Sequence, residues 1–212
     1  MQTVHIELIS DFICPWCYLG KARLERVKAA IADDIQLEID LKPYILYPSI
    51  PKGGVPKSVF AKKTKPGMGK SLRLEAEKEG IHFNYKYIER IPSSFEAHRL
   101  VYLVEDNTKK YALAKRLFYG YFEEGQDIEA TDYLLQQARA IGVEESILQN
   151  FMKSDAGQAG VQAAILESKE AFINIVPSIK LDGQFLITGL QSAEVLEKYI
   201  RRAAKLQSKN RK

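Results

Sequence analysis

The chain is short of several residue types whose scarcity excludes functions. Among its 212 residues are only two cysteines, Cys14 and Cys17, which leaves none for structural bridges and fits a reducing compartment. There are three histidines, His5, His82 and His98, none in a paired ligand motif, so a four-ligand zinc site would be short of partners. No apolar run approaches the roughly 18 residues of a membrane span. A strand pattern begins within four residues of the first methionine, which leaves no room for a signal peptide. A cytoplasmic protein without a membrane partner is therefore expected. The net charge of +4 is modest and no nucleic-acid-binding module is recognisable, so nucleic acid is not an expected partner either. No internal repeat is evident, and an apolar fraction of 46% is ordinary for a chain that buries a core.

What is present is concentrated in Cys14-Pro15-Trp16-Cys17. An apolar stretch, Val4 to Ile9, precedes it, and Leu24, Val27 and Ile31 follow at helical spacing, so the motif sits where a strand hands over to a helix. The first N–H groups of a helix are unpaired and its dipole favours negative charge, which would stabilise a thiolate at Cys14. Cysteines in such motifs have pKa values of about 3.5 to 7.5, against about 8.5 for a free thiol. Cys14 thus reads as the nucleophile, and Cys17, one turn further in, as the thiol that resolves a mixed disulfide. Pro15 suits the first helical turn, where its missing N–H costs little, and Trp16 forms an apolar wall beside the reactive sulfur. A zinc half-site and a pair of inert thiols are the rival readings.

Beyond the first helix, Ile35 to Leu41 alternates apolar and polar residues and reads as a second strand, giving a β-α-β start. Prolines and glycines from Pro43 to Pro56 break that regularity. Helical patterns then run over Leu72 to Glu79, Ser94 to Glu105, Tyr111 to Phe122, Ala130 to Ala140, Glu144 to Met152 and Asp155 to Ala171. Ser178 to Leu181 and Gln184 to Ile187, joined at Asp182-Gly183, read as a hairpin, and a final amphipathic helix spans Ser192 to Lys205. Between Pro51 and Leu74 lie Lys52, Lys57, Lys62, Lys63, Lys65, Lys70 and Arg73 with no acid. A second basic group from Arg201 to Lys212 ends the chain. Both read as solvated segments, the first a mobile loop and the second a frayed tail; an anionic partner is the alternative. The expected fold is α/β, with residues 1–50 and 173–212 forming one domain and a helical insertion domain from 51–172.

Taken together, this order of elements looks like a thioredoxin fold, with residues 1–50 and 173–212 as the thioredoxin-like domain. The chain resembles the DSBA-like thioredoxin family, in its cytosolic polyketide-biosynthesis (FrnE-like) branch. The matching segments are Ser10 to Gly20, Phe95-Glu96-Ala97-His98-Arg99-Leu100, Tyr121 to Gly125 and Val176-Pro177. The resemblance implies a thiol-disulfide oxidoreductase acting on protein disulfides or thiols, with glutathione as a further partner and with no metal or organic cofactor. It implies that Pro177 is cis and faces the active sulfur, and that Val176 offers its backbone to an extended substrate. The stretch before Pro177 is Ile173-Asn174-Ile175-Val176 where relatives commonly carry a Gly-Val pair, which leaves the loop stiffer or differently shaped. Glu7 and Asp11 lie near the cysteines in sequence and are candidates for proton transfer with Cys17; Glu7 is the better buried of the two if its strand is central, and a cap or surface salt bridge is the alternative for Asp11. His98 reads as a hydrogen-bonded structural residue. Kappa-class glutathione transferases and hydroxychromene carboxylate isomerases are related but lack the cysteine pair. Chemistry of their type is one alternative, and a non-catalytic holdase is another. A glutathione carboxylate would be received at Gln191-Ser192, where the last helix begins.

Overall fold

The computed structural model describes residues 1–64 and 69–210. Strand β1 (Gln2–Ser10) forms the middle of a four-stranded sheet because both of its edges are taken. Helix α1 (Pro15–Ala30) carries the chain over to β2 (Ile35–Pro43), which pairs in parallel with β1 from Gln2 opposite Ile35 to Ser10 opposite Pro43. On the other edge β5 (Ser178–Leu181) runs antiparallel to β1 and is followed by β6 (Phe185–Thr188), giving the order β2-β1-β5-β6. The β5–β6 turn places Asp182 and Gly183 at φ 48° and 70°, the left-handed geometry that matches the twist of a two-residue hairpin. Asp182 also ties the turn to β1, accepting the His5 N–H through Oδ1 at 3.0 Å and donating its own N–H to the His5 carbonyl at 2.9 Å.

Alternation along β1 sends Val4, Ile6 and Leu8 to one face of the sheet. There they pack with Leu24, Val27 and Ile31 of the α1 region and with Leu196, Ile200 and Ala203 of α9 (Ala193–Asn210). Ile9 faces the other way, into a second core shared with the start of α1. That core is built from the chain between β2 and β5. In order, it comprises β3 (Val55–Pro56), α2 (Lys57–Thr64), α3 (Lys70–Lys78), β4 (Arg90–Ile91), α4 (Phe95–Leu103), α5 (Asn107–Phe122), α6 (Thr131–Ala140), α7 (Glu145–Lys153) and α8 (Gln158–Glu170). Leu100, Leu113, Leu117, Phe118, Phe122, Leu134 and Phe151 are buried there together with Phe12 and Leu19. The N-terminal end of α1, which carries Cys14 and Cys17, is therefore roofed by helices.

The structure departs from the sequence reading in three places. Part of the basic segment expected as a loop is helix α2, anchored where the Lys57 N–H donates to the Glu89 carbonyl at 2.8 Å. Helix α5 starts at Asn107, four residues before the expected Tyr111, because the Asp106 side chain caps it by accepting the Lys109 N–H at 2.8 Å. The C-terminal basic group belongs to α9 as far as Asn210, and Arg201 pairs with Asp34 at 2.9 Å and Glu197 at 2.7 Å. Lys65, Arg211 and Lys212 lie outside the described residues. Among the described residues no helix is long and apolar enough to cross a membrane.

Candidate active site

Strand β1 ends at Ser10, and a tight turn follows in which the Cys14 N–H donates to the Asp11 carbonyl at 3.1 Å. Cys14 is the N-cap of α1, with extended φ −93° and ψ 113°, and Pro15 opens the first turn. The Cys14 carbonyl accepts the N–H groups of Cys17 at 3.0 Å and Tyr18 at 3.3 Å, which starts the helical ladder. No side chain caps this helix end; Pro15 has no N–H and the Cys17 and Tyr18 N–H groups are taken by the Cys14 carbonyl, so the Cys14 side chain stands beside the free Trp16 N–H at the positive end of the helix dipole. Both cysteines are free thiols; Cys14 is 3% exposed and Cys17 fully buried. Burial pushes the Cys17 thiol well above its ordinary pKa, and the neighbouring Cys14 sulfur raises it further, against a smaller opposing effect of the Asp11 backbone. Cys17 therefore holds its proton at neutral pH.

Across from the helix start, the Val176–Pro177 peptide is cis. The Cys14 Sγ lies 3.9 Å from the Val176 carbonyl oxygen, in position to donate to it. Two bonds fix this loop: Gly189 N–H donates to the Pro177 carbonyl at 2.8 Å, and Ser178 Oγ donates to the Ile175 carbonyl at 2.6 Å. Gly20 lets the loop approach, because a Cβ there would lie 2.8 Å from Pro177 Cγ. Cys14, Cys17, Val176 and Pro177 thus share one site although 162 residues separate Cys14 from Val176.

The two candidate carboxylates part company. Asp11 is fully buried beneath the motif, its Oδ2 accepting the Leu46 N–H at 2.6 Å and its Oδ1 the Ile13 N–H at 3.3 Å. Glu7 points to the opposite side of β1 from Leu8 and lies between Lys42 at 3.7 Å and Lys180 at 3.6 Å, in a small pocket with Glu167. The end of the strand separates the two acids, Glu7 lying within β1 and Asp11 in the turn beyond it, and the structure brings Asp11 rather than Glu7 to Cys17. His98 approaches Asp11 but differs from the reading of a hydrogen-bonded residue, since its buried Nε2 makes no hydrogen bond.

Trp16 lines a cleft of about 200 Å³ together with Pro15, Leu46, Tyr47, Phe60 and Tyr85. Burial is the main cause that raises the hydroxyl pKa of both Tyr47 and Tyr85, and the charge of Cys14 adds to it in each case. Neither tyrosine was legible as a site residue, because each lies in an aperiodic stretch remote from the motif. At the start of α9 the Ser192 hydroxyl accepts the Val195 N–H at 3.3 Å, and Glu194 bonds to Ser192. The expected place for a ligand carboxylate is thus served by this chain's own groups. Gln191 is likewise engaged, its carbonyl accepting from Arg23 at 2.8 Å.

Comparison with known proteins places these features in a family. The family model described as DSBA-like thioredoxin domain matches residues 5–201. The uncharacterized protein YwbO of Bacillus subtilis (strain 168) is 27% identical over 204 residues, covering 94% of this chain and 96% of that protein. Among solved structures, the "probable DsbA oxidoreductase SCO1869" of Streptomyces coelicolor has a TM-score of 0.79 at 26% identity, covering 94% of this chain and 89% of that one. The cytosolic disulfide reductase DsbM of Pseudomonas aeruginosa, solved with GSH, has a TM-score of 0.65 at 17% identity over 98% of this chain and all of that one (100%).

Proposed function

Because the chain belongs to the DSBA-like thioredoxin domain family, we propose that it is a cytoplasmic thiol-disulfide oxidoreductase in which Cys14 attacks and Cys17 resolves. The observation that carries this reading is the asymmetry of the pair. Cys14 caps α1 at the positive end of the helix dipole, beside the free Trp16 N–H, whereas the thiol of Cys17 is fully buried and held protonated. The thiolate of Cys14 attacks a substrate disulfide, one substrate sulfur leaves as thiolate, and a mixed disulfide remains on Cys14. Cys17 then attacks the Cys14 sulfur and releases the second substrate thiol, while Cys14–Cys17 becomes the disulfide. Asp11 is the group beside Cys17 that takes its proton as that attack proceeds. A dithiol partner runs the same steps in reverse.

Substrate recognition follows from the surroundings of the sulfur. An extended substrate segment pairs with the backbone of Val176, and Pro177, lacking an N–H, offers no competing donor there. Trp16 and the adjoining cleft receive apolar groups next to the substrate sulfur. Protein disulfides and small thiols are the proposed partners. Glutathione would engage Val176 and Cys14 without the α9 terminus, which Ser192 and Glu194 already occupy. The chemistry needs no metal or organic cofactor.

Insulin reduction with gel analysis of trapped adducts tests the assignment. Cys14→Ser should abolish exchange, and Cys17→Ser should accumulate mixed disulfides on Cys14. Equal trapping by both single variants would undo the assignment of roles. Aggregation suppression by the Cys14→Ser, Cys17→Ser double variant, without exchange in the wild type, would instead point to a holdase.

A further inference from the structure

Asp11 has a partner that the exchange steps leave unused. Its carboxylate is fully buried and fixed by the backbone N–H groups of Ile13 and Leu46. His98, 5% exposed on α4, brings Nε2 to 3.6 Å from Asp11 Oδ1. The Phe12 ring covers the imidazole, with centroids 4.6 Å apart. Because that Nε2 has no hydrogen-bond partner, the imidazole sits beside a buried acid with one ring nitrogen uncommitted. Buried polar atoms left in this condition are rare, and imidazole is the side chain that most readily changes charge near neutrality.

Among the described residues, the other titratable groups that face Asp11 or the Cys14 sulfur are Cys14 and Cys17 at the start of α1, Tyr47 after β2, Tyr85 before β4 and Tyr121 on α5. None of these can become positive. When the cysteine pair is reduced, the attacking thiolate adds a second negative charge to a buried region that already holds the Asp11 carboxylate. His98 is the one member of this group able to offset it.

We propose that His98 takes up a proton when the Cys14–Cys17 disulfide is reduced and gives it back when the disulfide re-forms. His98 is then a positioning residue, acting through Asp11 and not on substrate. This rests on the redox reading of the cysteine pair given above. The balance closes without any further reactant. A substrate dithiol supplies two electrons and two protons as it becomes a disulfide. The electrons cleave the Cys14–Cys17 bond, one proton stays on the Cys17 sulfur, the other goes to His98, and Cys14 is left as thiolate. In the opposite direction the two protons pass to the two departing substrate thiols.

The chain has three histidines, and the ring of His98 differs from the other two in being buried, so ring NMR signals of the oxidised and reduced wild type can be compared at several pH values. His98 should titrate at higher pH in the reduced protein, with His5 and His82 unchanged. Identical His98 titrations in the two redox states would overturn the proposal, and this measurement needs no variant. The second readout is the equilibrium with dithiothreitol. In the wild type near neutrality both dithiol protons stay with the protein and the constant is independent of pH. In His98→Gln, which keeps a polar side chain without basicity, one proton is released to water and the constant rises about tenfold per pH unit. Equal pH slopes for wild type and variant would refute the coupling. Thiol counting during the same experiment reads the premise separately: a pair that never forms a disulfide fails the functional reading, and the inference with it.

Discussion

Removing the charge of Lys21 should stabilise the protein, and the effect should fade as pH rises. Lys21 lies one turn beyond Cys17 on α1 with its side chain 2% exposed. Its Nζ is 2.7 Å from Glu25 and 3.8 Å from the centre of the Tyr111 ring. Burial nevertheless outweighs the pull of Glu25 and pushes the ammonium down from 10.5 to about 8. The folded pKa is thus below the unfolded one, so between pH 8 and 10.5 the unfolded chain holds a proton that the folded protein has shed. Folding stability from this group therefore rises with pH across that window and is at its lowest below pH 8. At 1.36 kcal/mol per pH unit the gap corresponds to about 3 kcal/mol. Lys21→Met keeps the apolar stem and removes the ammonium, at a loss of about 1 kcal/mol for the contact with Tyr111. Glu25 keeps Lys115 at 3.6 Å. The variant should be more stable than wild type by about 2 kcal/mol at neutral pH, with the difference gone by about pH 10. Urea unfolding of both reduced proteins at a series of pH values measures it. A difference that stays constant with pH, or a variant less stable at neutral pH, would refute the reasoning.

Features that rest on neighbouring residues were legible in the sequence, and features that rest on distant ones were not. Cys14-Pro15 announced the helix start, Leu24, Val27 and Ile31 its buried face, and Asp182-Gly183 the hairpin, because each is a local requirement of backbone geometry. Helix α2 was missed because Lys57-Ser-Val-Phe-Ala-Lys-Lys-Thr has little apolar periodicity and sits among prolines and glycines. Its first N–H is held by Glu89, far along the chain. In the sequence Glu7 is the better buried candidate if its strand is central, and Asp11 reads as readily as a cap or a surface ion pair; β1 is central, yet the order is reversed. Pleating sends Glu7 to two lysines, whereas the turn after β1 buries Asp11 under the motif. Arg23 illustrates the same limit: its ion pairs with Glu75 and Glu79 and its bond to the Gln191 carbonyl join α1 to α3 and to the approach to α9. No local pattern encodes that network, nor the meeting of His98 with Asp11.

Two further outcomes bear on the site. Iodoacetamide at neutral pH should label Cys14 in the reduced native protein and leave Cys17 unmodified until the chain unfolds, because burial holds the Cys17 thiol well above its ordinary range; mass spectrometry showing Cys17 labelled first would contradict this. Gly20→Ala should impair exchange more than it impairs folding. Alanine is favoured over glycine inside a helix by about 1 kcal/mol. The new Cβ would, however, stand 2.8 Å from Pro177 Cγ and 3.2 Å from Pro177 Cβ, and relieving such overpacking costs about 1–3 kcal/mol. The two effects leave stability lower by roughly 0–2 kcal/mol. The contact is relieved by moving the loop that presents the Val176 carbonyl 3.9 Å from the Cys14 sulfur. A displacement approaching 1 Å at a reacting centre costs up to about 100-fold in rate, so insulin reduction should slow by about 10- to 100-fold. A variant that gains about 1 kcal/mol of stability and keeps wild-type turnover would show that the approach of Pro177 to α1 does not govern the chemistry at Cys14.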